Sequence, residues 1–315
     1  MSRVLVLLAT HNGAEWIEEQ VRSVLQQTAV EVMLVVGDDC SSDETCTLIS
    51  KVAADTASAE RISVIRFDER SGGAGQNFIR LLSSVDVSRF DYVAFCDQDD
   101  VWAPEKLDFA VERLSKSVSD GYSSSVRAFW QDGREVTLSQ SKAVTEIDYI
   151  FEGAGQGCTF VVTRELASRA KLFAAQNSNL IDKVHYHDWL VYCLARAWGY
   201  TWFFDQRETM RYRQHGGNDT GARGGLAGIK KRLSLIWTGW YRAQVQCMIA
   251  IAEVAVNSVP QLDASHTEFR SLAATWSKSD SVSRRFRLAK ILFGRGRRRL
   301  SDRVVLGFSA VFGWI

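Results

Sequence analysis

The chain has 315 residues, of which 46% are hydrophobic and 24% are charged, so it can bury one large core or one core with an appended region. No run reaches the roughly 18 to 20 apolar residues of a membrane-spanning helix, and the first residues lack a signal-peptide cleavage site, so we expect a cytoplasmic protein. The six cysteines include no CxxC pair, which argues against a zinc or redox motif and predicts reduced cysteines in the interior.

The net charge of +1 hides an uneven distribution along the chain. Residues 226–315 hold 15 Lys or Arg against 5 Asp or Glu, a balance of +10. Subtraction from the totals of 38 and 37 leaves 23 against 32, or −9, for residues 1–225. We therefore predict two regions, 1–225 and 226–315, that meet different partners.

The first hundred residues alternate between strand and helix patterns. "RVLVLLAT" (3–10) is apolar on both faces, as in a parallel sheet covered by helices, and Ile17, Val21, Val24 and Leu25 then form one helical stripe. The alternation continues with strands in "VEVMLVVGDD", "ISVIRF" and "YVAFCDQDD" and with helices in "DETCTLISKVAA" and "NFIRLLSSV". This order predicts a doubly wound, Rossmann-like α/β domain.

Ligands of doubly wound domains bind at the carboxyl ends of the strands. Three of the predicted strands end in polar residues that suit such a site, namely Thr10-His11-Asn12, Asp38-Asp39 and Asp97-Gln98-Asp99. In an extended chain Asp97 and Asp99 point to the same side, and their hard oxygen ligands suit Mg²⁺ or Mn²⁺. The alternative is a strand end that makes a capped turn before the helix at Pro104.

Seven motifs, in this order, carry a resemblance to a known family: "LLATHNGAEWIEEQVRSVLQQT", "DDCSSDET", "GGAGQNF", "FCDQDDVWAPEKL", "GQGCTFVV", "HDWLVYCLARAWG" and "YRQHGGN". Over residues 3–225 the chain resembles a bacterial family 2 glycosyltransferase of the GT-A fold, and in particular the rhamnosyltransferase-type enzymes of surface polysaccharide assembly. Cys40 departs from the pattern, which usually has Gly there, and cysteine fits if the turn does not need a positive φ.

The resemblance implies roles for residues at the predicted strand ends. Asp99 coordinates a divalent metal, Asp97 contacts the metal or the ribose, and Asp100 braces the loop. Asp39 accepts a hydrogen bond from N3–H of uracil or thymine. The other residues implied to contact the nucleotide-sugar donor are Ala9, Thr10, Asn12, Asn77 and Gln98.

Two motifs later in the chain are implied to take part in the reaction. "YHDWLVYCLARAWG" (186–199) reads as a helix with Asp188 in its first turn, where an acid also favours the helix dipole. The family places its general base here, so Asp188 is the predicted catalytic residue. In "YRQHGGN" (212–218) the resemblance implies that His215 or Arg213 meets the donor diphosphate, with His215 as a further metal ligand.

The basic C-terminal region begins with the amphipathic pattern "AGIKKRLSLIWTGWYRAQVQCMIAIAEV", in which Trp237, Trp240 and Tyr241 accompany Lys230, Lys231, Arg232 and Arg242. Residues 284–300 then hold seven Arg and one Lys, and residues 304–315 carry no charge. Twelve residues are too few to span a bilayer. The pattern predicts a helical, monotopic membrane anchor attracted to anionic lipids, with a solvated helical face and a packed tail as the alternative.

Together with these patterns, the resemblance implies a metal-dependent, inverting glycosyltransferase that moves a sugar onto a lipid-linked surface glycan at the inner face of the membrane. The resemblance favours L-rhamnose from dTDP-β-L-rhamnose, with a UDP-hexose or UDP-galactofuranose as the alternative donor. A nucleotidyltransferase is the second alternative, although "ATHNG" lacks the basic Gly-rich turn of that class. Binding of nucleic acid by the arginine cluster is a further alternative. The acidic balance of residues 1–225 and the lack of a recognisable RNA- or DNA-binding module argue against it.

Overall fold

The structure is a computed structural model that describes residues 1–116, 119–140, 144–217 and 234–315. Some features named above lie outside the described residues. They are the predicted domain boundary between residues 225 and 226, Asn218 of the "YRQHGGN" motif, and Lys230, Lys231 and Arg232. The chain forms two compact units. The first comprises Met1–Gln140, Gly155–Asp188 and Thr201–Ala222, and the second comprises Ser141–Ala154, Trp189–Tyr200 and Arg223–Ile315.

Four parallel strands and three helices form the first part of unit one, in the alternating order that the sequence predicts. The strands are β1 Ser2–Thr10, β2 Val30–Asp38, β3 Ile62–Arg66 and β4 Tyr92–Cys96. The helices are α1 Ile17–Leu25, α2 Thr45–Asp55 and α3 Ala74–Ser84. In β1 every residue from Val4 to Thr10 is buried, because helices cover both faces of a parallel sheet.

The later part of unit one extends the same sheet with antiparallel pairings that the alternation of elements did not predict. Its elements are β5 Val101–Trp102, α4 Lys106–Lys116, β6 Gly121–Trp130, β7 Glu135–Leu138, β8 Val161–Thr163, α5 Arg164–Gln176, α6 Ser178–Ile181, α7 His187–Ala197 and β9 Trp202–Gln214. Helix α7 continues past Asp188 into unit two. Pairing is antiparallel for β4 with β8, β8 with β6, and β5 with β9, whereas β6 and β9 run parallel.

The strand order in the described sheet is β3-β2-β1-β4-β8-β6-β9-β5, with β7 paired to β6. The chain moves outward from β1 to β2 and β3, and then returns to place β4 on the other side of β1. This reversal is the switch point where open α/β sheets bind ligands beyond the strand ends. The carboxyl ends of β1 and β4 are therefore the expected walls of the site.

Helices make up most of the described part of unit two. They are α8 Trp240–Asn257, α9 Thr267–Trp276, α10 Val282–Arg295 and α11 Leu300–Val311. The buried face of α8 includes Val245, Met248, Ile251 and Ala252, which are nearly inaccessible to solvent. Among the described helices, none combines the length and the apolar character needed to cross a bilayer.

A buried network of charges stabilises unit two and accounts for part of the charge asymmetry. The Asp148 carboxylate, which is fully buried, accepts hydrogen bonds from Arg196 at 2.9 Å, Arg298 at 3.1 Å and the Tyr192 hydroxyl at 2.8 Å. Arg298 also lies 3.6 Å from Glu152. A buried charge needs such partners, so Arg298 of the basic run serves the packing of this unit.

The turn at Cys40 corrects one expectation from the sequence. Cys40 has a φ of +59°, so the turn does need the left-handed conformation that the usual glycine adopts freely. Its thiol donates to the Phe67 carbonyl at 3.1 Å, and all six cysteines are unpaired. The strained cysteine is kept in place by the surrounding turn.

We expect Cys40→Gly to raise the free energy of unfolding by up to about 1 kcal/mol. Left-handed backbone costs an L-residue about 1–2 kcal/mol, and the greater flexibility of unfolded glycine offsets about half of that gain. Urea unfolding would measure the difference, with Cys40→Ala as the matched control because it removes the thiol and keeps the strain. A Cys40→Gly protein less stable than Cys40→Ala would contradict the explanation.

Candidate active site

The acid loop, residues 97–100, connects β4 to β5 at the switch point of the sheet. Gln98 ties this loop to the end of β1, because its Oε1 accepts hydrogen bonds from the Thr10 hydroxyl at 2.7 Å and the His11 amide at 2.8 Å. A Cβ on Gly13 would lie 2.5 Å from the same Oε1, so Gly13 leaves the room that Gln98 occupies. Thr10 and Gln98, both predicted donor-binding residues, thus lie together.

The structure divides the predicted metal ligands between two neighbouring groups. Nε2 of His215 lies 2.7 Å from Oδ2 of Asp99. Asp97 instead joins Asp100 and Cys158, whose ligand atoms all lie within 4.8 Å of one another. The argument from strand alternation does not hold here because β4 ends at Cys96, before the acids begin.

Asp100 lies at the bottom of the acid loop and is fully buried. Burial, followed by the charges of Asp99 and Asp97, raises its pKa well above the ordinary value of a carboxyl. Its Oδ1 accepts a hydrogen bond from the Arg213 amide at 3.0 Å, which agrees with the expected bracing role.

The end of β9 contacts the acid loop through Arg213 and His215. Nε of Arg213 donates to the Asp99 carbonyl at 2.8 Å. The His215 ring stacks on Trp16 with centroids 4.1 Å apart, so this imidazole is held from two sides. Sequence reasoning missed Trp16, although its position just before the buried face of α1, at the same strand ends, was a usable signal.

Asp39 follows β2 and is almost completely buried. Its carboxylate accepts from the Ser71 amide at 2.7 Å, the Ser71 hydroxyl at 2.8 Å and Arg80 at 2.6 Å. Burial by itself raises the pKa of Asp39, but the hydrogen bonds from Ser71 and Arg80 outweigh burial and hold the pKa below its ordinary value. Asp39 is therefore an ionised acceptor at neutral pH, as the predicted contact with a base N3–H requires.

The remaining predicted donor-binding residues form the frame around these strand ends. Ala9 and Thr10 are the last two residues of β1 and are buried. The Thr10 carbonyl accepts a hydrogen bond from the Asp39 amide at 2.9 Å. Asn12 has a φ of +49° and accepts from the Ser42 amide at 2.8 Å. Asn77 is 2% exposed and donates to the Gly37 carbonyl at 2.9 Å, so its observed contact is with the backbone of β2. Contact of these residues with a donor stays a prediction.

Asp188 lies in the first turn of α7. Two glycines from other parts of the chain, Gly75 and Gly157, allow their backbone to approach residues 185–188 closely. A Cβ on Gly75, at the start of α3, would lie 2.0 Å from the His185 carbonyl oxygen. A Cβ on Gly157 would lie 2.7 Å from Nε2 of His187 and 3.0 Å from Cβ of Asp188. These close approaches explain two glycines whose purpose the sequence did not reveal: they position the segment that carries the predicted base.

His187 anchors the same segment in the core. Its ring packs against Phe78 and Phe95, with centroid distances of 4.0 Å and 5.3 Å. Burial lowers its pKa to about 3, so the imidazole is neutral at physiological pH. His187 therefore places no positive charge beside Asp188, and such a charge would make the Asp188 carboxylate a weaker base.

We expect Gly75→Ala to destabilise the protein by about 1–3 kcal/mol, because the added methyl group overlaps a backbone oxygen that cannot move independently. Displacement of residues 185–188 should also lower turnover. Thermal unfolding and steady-state rates would measure both effects. Gly73→Ala is the matched control, since a Cβ there meets nothing within 4 Å and its extended φ of 162° suits any residue.

A Gly75→Ala protein as stable and active as Gly73→Ala would show that α3 does not position this segment. Loss of stability without any change in turnover per folded molecule would limit the role of Gly75 to packing.

The chemistry of the acid loop fits a divalent cation. Mg²⁺ and Mn²⁺ prefer oxygen ligands, which Asp97 and Asp99 supply, and Mn²⁺ also accepts an imidazole such as that of His215. Cys158 fits these ions less well, because sulfur is a soft ligand and burial raises the pKa of its thiol well above the ordinary value. Asp97, Asp99 and His215 therefore remain the predicted ligands.

Comparisons with known proteins agree with the predicted family and fold. A model of "Glycosyl transferase family 2" matches residues 5–184. The chain is 37% identical over 238 residues to the dTDP-rhamnosyl transferase RfbG of Shigella flexneri, a match that covers 76% of this chain and 82% of that protein. It is 30% identical over 107 residues to WfaP of Escherichia coli, a "UDP-Glc:alpha-D-GlcNAc-diphosphoundecaprenol beta-1,3-glucosyltransferase", with 34% of this chain and 39% of that protein covered.

Among solved structures, the mannosyltransferase PcManGT from Pyrobaculum calidifontis, in complex with GDP-Man and Mn²⁺, superposes with a TM-score of 0.51 at 17% identity. The match covers 99% of this chain and 87% of that protein, and at this identity it bears on the fold alone. The matches agree with the GT-A arrangement predicted from the sequence. Because the family model spans more than half of the chain, the protein belongs to glycosyl transferase family 2 and is a glycosyltransferase.

Proposed function

We propose that this enzyme transfers L-rhamnose from dTDP-β-L-rhamnose to a glycan hydroxyl with inversion of the anomeric centre. The observation that carries the proposal is the 37% identity to a dTDP-rhamnosyl transferase across 82% of the length of that protein. The ionised Asp39 at the end of β2 supports it, because thymine presents the N3–H group that such a carboxylate accepts.

In the proposed reaction, the Asp188 carboxylate takes the proton of the acceptor hydroxyl as the oxygen attacks the anomeric carbon. Direct displacement of the nucleoside diphosphate from a β donor gives an α-linked product. Asp97, Asp99 and His215 would hold Mg²⁺ or Mn²⁺, which neutralises the charge of the departing diphosphate when bound. Arg213, at the same end of β9 and paired with Glu19, is the proposed contact of the diphosphate.

We also propose a lipid-linked glycan as the acceptor and the inner face of the membrane as the place of action. The WfaP relative supports the acceptor, since its name specifies a diphosphoundecaprenol-linked sugar. An enzyme that acts on such an acceptor must work close to a bilayer surface, and the exposed apolar residues of unit two support peripheral association.

The test is hydrolysis and transfer with a panel of nucleotide sugars that includes dTDP-β-L-rhamnose, UDP-glucose and UDP-galactofuranose. We expect dTDP-β-L-rhamnose to give the highest kcat/KM and dTDP to be the nucleotide product. A clear preference for a UDP-sugar would overturn the choice of donor and keep the enzyme class. Release of pyrophosphate instead of a nucleoside diphosphate would indicate the nucleotidyltransferase alternative.

A further inference from the structure

The last two helices of unit two, with the residues that follow them, expose a set of large apolar side chains. We define this apolar patch by Phe286 on α10 and by Leu300, Val304, Phe308, Phe312 and Trp314 on or after α11. Leu300 is 70% exposed, Phe286 60% and Phe312 59%. Single exposed apolar residues are ordinary, but a group of this size on two adjacent helices indicates a binding surface.

Ring contacts connect the part of the patch on and after α11 to α10 and to Trp237. Val304, Phe308 and the C-cap residue Phe312 recur at intervals of four residues and form one stripe along α11 and its C-terminal end. The Phe308 ring meets Phe293 of α10 at a centroid distance of 5.5 Å, and Phe312 stacks on Trp314 at 5.2 Å. Trp314 in turn lies 5.8 Å from Trp237, which is itself exposed. Aromatic rings are typical of side chains that lie at the level of lipid headgroups.

Most of the basic residues near the patch are occupied within unit two and do not face a partner. Between residues 282 and 315 the chain has nine basic residues and one acidic residue, Asp302. Six of the nine bond to acids or backbone carbonyls of unit two, namely Arg284, Arg285, Arg295, Arg297, Arg298 and Arg303.

Two of the other basic residues remain available for an external partner. Arg287 and Lys290 are exposed on α10, and neither forms an ion pair within the described part of the chain. Fewer positive charges therefore face an external partner than the number of basic residues in this segment indicates. Contact through this surface must rely mainly on apolar burial, with a smaller electrostatic contribution.

We propose that the apolar patch inserts into the interfacial layer of an anionic phospholipid bilayer and that Arg287 and Lys290 contact the headgroups. This rests on the proposed function, because it assigns the surface through which the enzyme meets the membrane of its acceptor. Charge favours a bilayer over a second copy of this chain. A twofold interface would bring the same cations of both copies together, and Asp302, the single acid of this segment, already contacts Arg297.

Vesicle flotation with full-length protein tests the proposal, using purely zwitterionic vesicles and vesicles with phosphatidylglycerol at low and high salt. Point variants are preferable to truncation, because truncation would remove Arg298, one of the two arginines that pair with the buried Asp148. The informative variants are Phe286→Ser combined with Phe312→Ser, and Arg287→Gln combined with Lys290→Gln. Leu172→Ser on α5 is the matched control, since Leu172 is 57% exposed but belongs to unit one.

We expect the double Phe variant to bind both kinds of vesicle at least tenfold more weakly than the wild type. The double cation variant should lose a few-fold, and only with anionic vesicles at low salt, whereas Leu172→Ser should match the wild type. Wild-type flotation of the double Phe variant, or absence of wild-type binding, would overturn the proposal. A concentration-dependent dimer that the Phe changes dissociate would assign the patch to a second copy.

Donor hydrolysis without lipid separates this inference from the proposed function. The patch variants should hydrolyse the nucleotide sugar at the wild-type rate. If wild-type protein binds vesicles and hydrolyses no nucleotide sugar, the proposed function fails and the surface assignment stands.

Discussion

Replacement of Asp188 by asparagine is expected to lower turnover by about 10²-fold or more while leaving donor affinity nearly unchanged. The amide has the shape of the carboxylate but cannot take the proton of the acceptor hydroxyl. Gly75, Gly157 and the buried His187 all lie against the segment that carries Asp188, so the change to asparagine is made in a closely packed frame. Single-turnover transfer rates and calorimetric titration with the donor nucleotide would measure the two quantities.

Asp182→Asn is the matched control for this prediction, since Asp182 is an exposed carboxylate six residues earlier in the same segment. It should behave as the wild type. If Asp188→Asn transfers the sugar at the wild-type rate, the base lies elsewhere. The structure makes Asp148 a poor substitute, because it is fully buried between Arg196 and Arg298.

Asp99→Ala is expected to abolish the part of donor binding that depends on Mg²⁺ or Mn²⁺. The change removes one of few oxygen ligands and leaves the charge of the diphosphate without compensation. It also removes the hydrogen-bond partner that holds His215 at 2.7 Å. Titration with dTDP in the presence and absence of each metal would measure the loss.

Two further variants separate the possible causes of that loss. His215→Ala keeps the carboxylate, so a smaller effect than that of Asp99→Ala would show that Asp99 acts as more than an anchor for the histidine. Cys158→Ser tests the other group of possible ligands, Asp97, Asp100 and Cys158. Metal-dependent binding that survives Asp99→Ala and disappears in Cys158→Ser would move the metal to that group.

The fold of the N-terminal half could be predicted because its signals are local. Apolar runs of strand length, helical stripes and polar strand ends are all properties of short segments, and β1 to β4 and α1 to α3 follow them closely. The pairings of β5 to β9, most of which are antiparallel, were not predicted. Their partners lie far apart in sequence, as for β4 with β8 and β5 with β9, and a segment of mixed polarity such as "GYSSSVRAFW" does not specify which strand it joins.

The candidate site shows the same division. Its residue types and its place at the strand ends were evident from the sequence, because acids that follow buried strands need an explanation. Their grouping was not evident. The sequence paired Asp97 with Asp99 by assuming an extended backbone, whereas the chain leaves β4 at Cys96 and places Asp97 with Asp100 and Cys158.

The sequence by itself determined the family, the α/β alternation, the identity of the strand-end residues and the basic character of the last ninety residues. Only the tertiary structure decided that Gln98 bonds to Thr10, that Trp16 holds His215, and which arginines are buried against acids. The physical reason is separation along the chain. Residue pattern specifies local conformation, but contacts between residues 88 or 150 positions apart depend on how the elements pack.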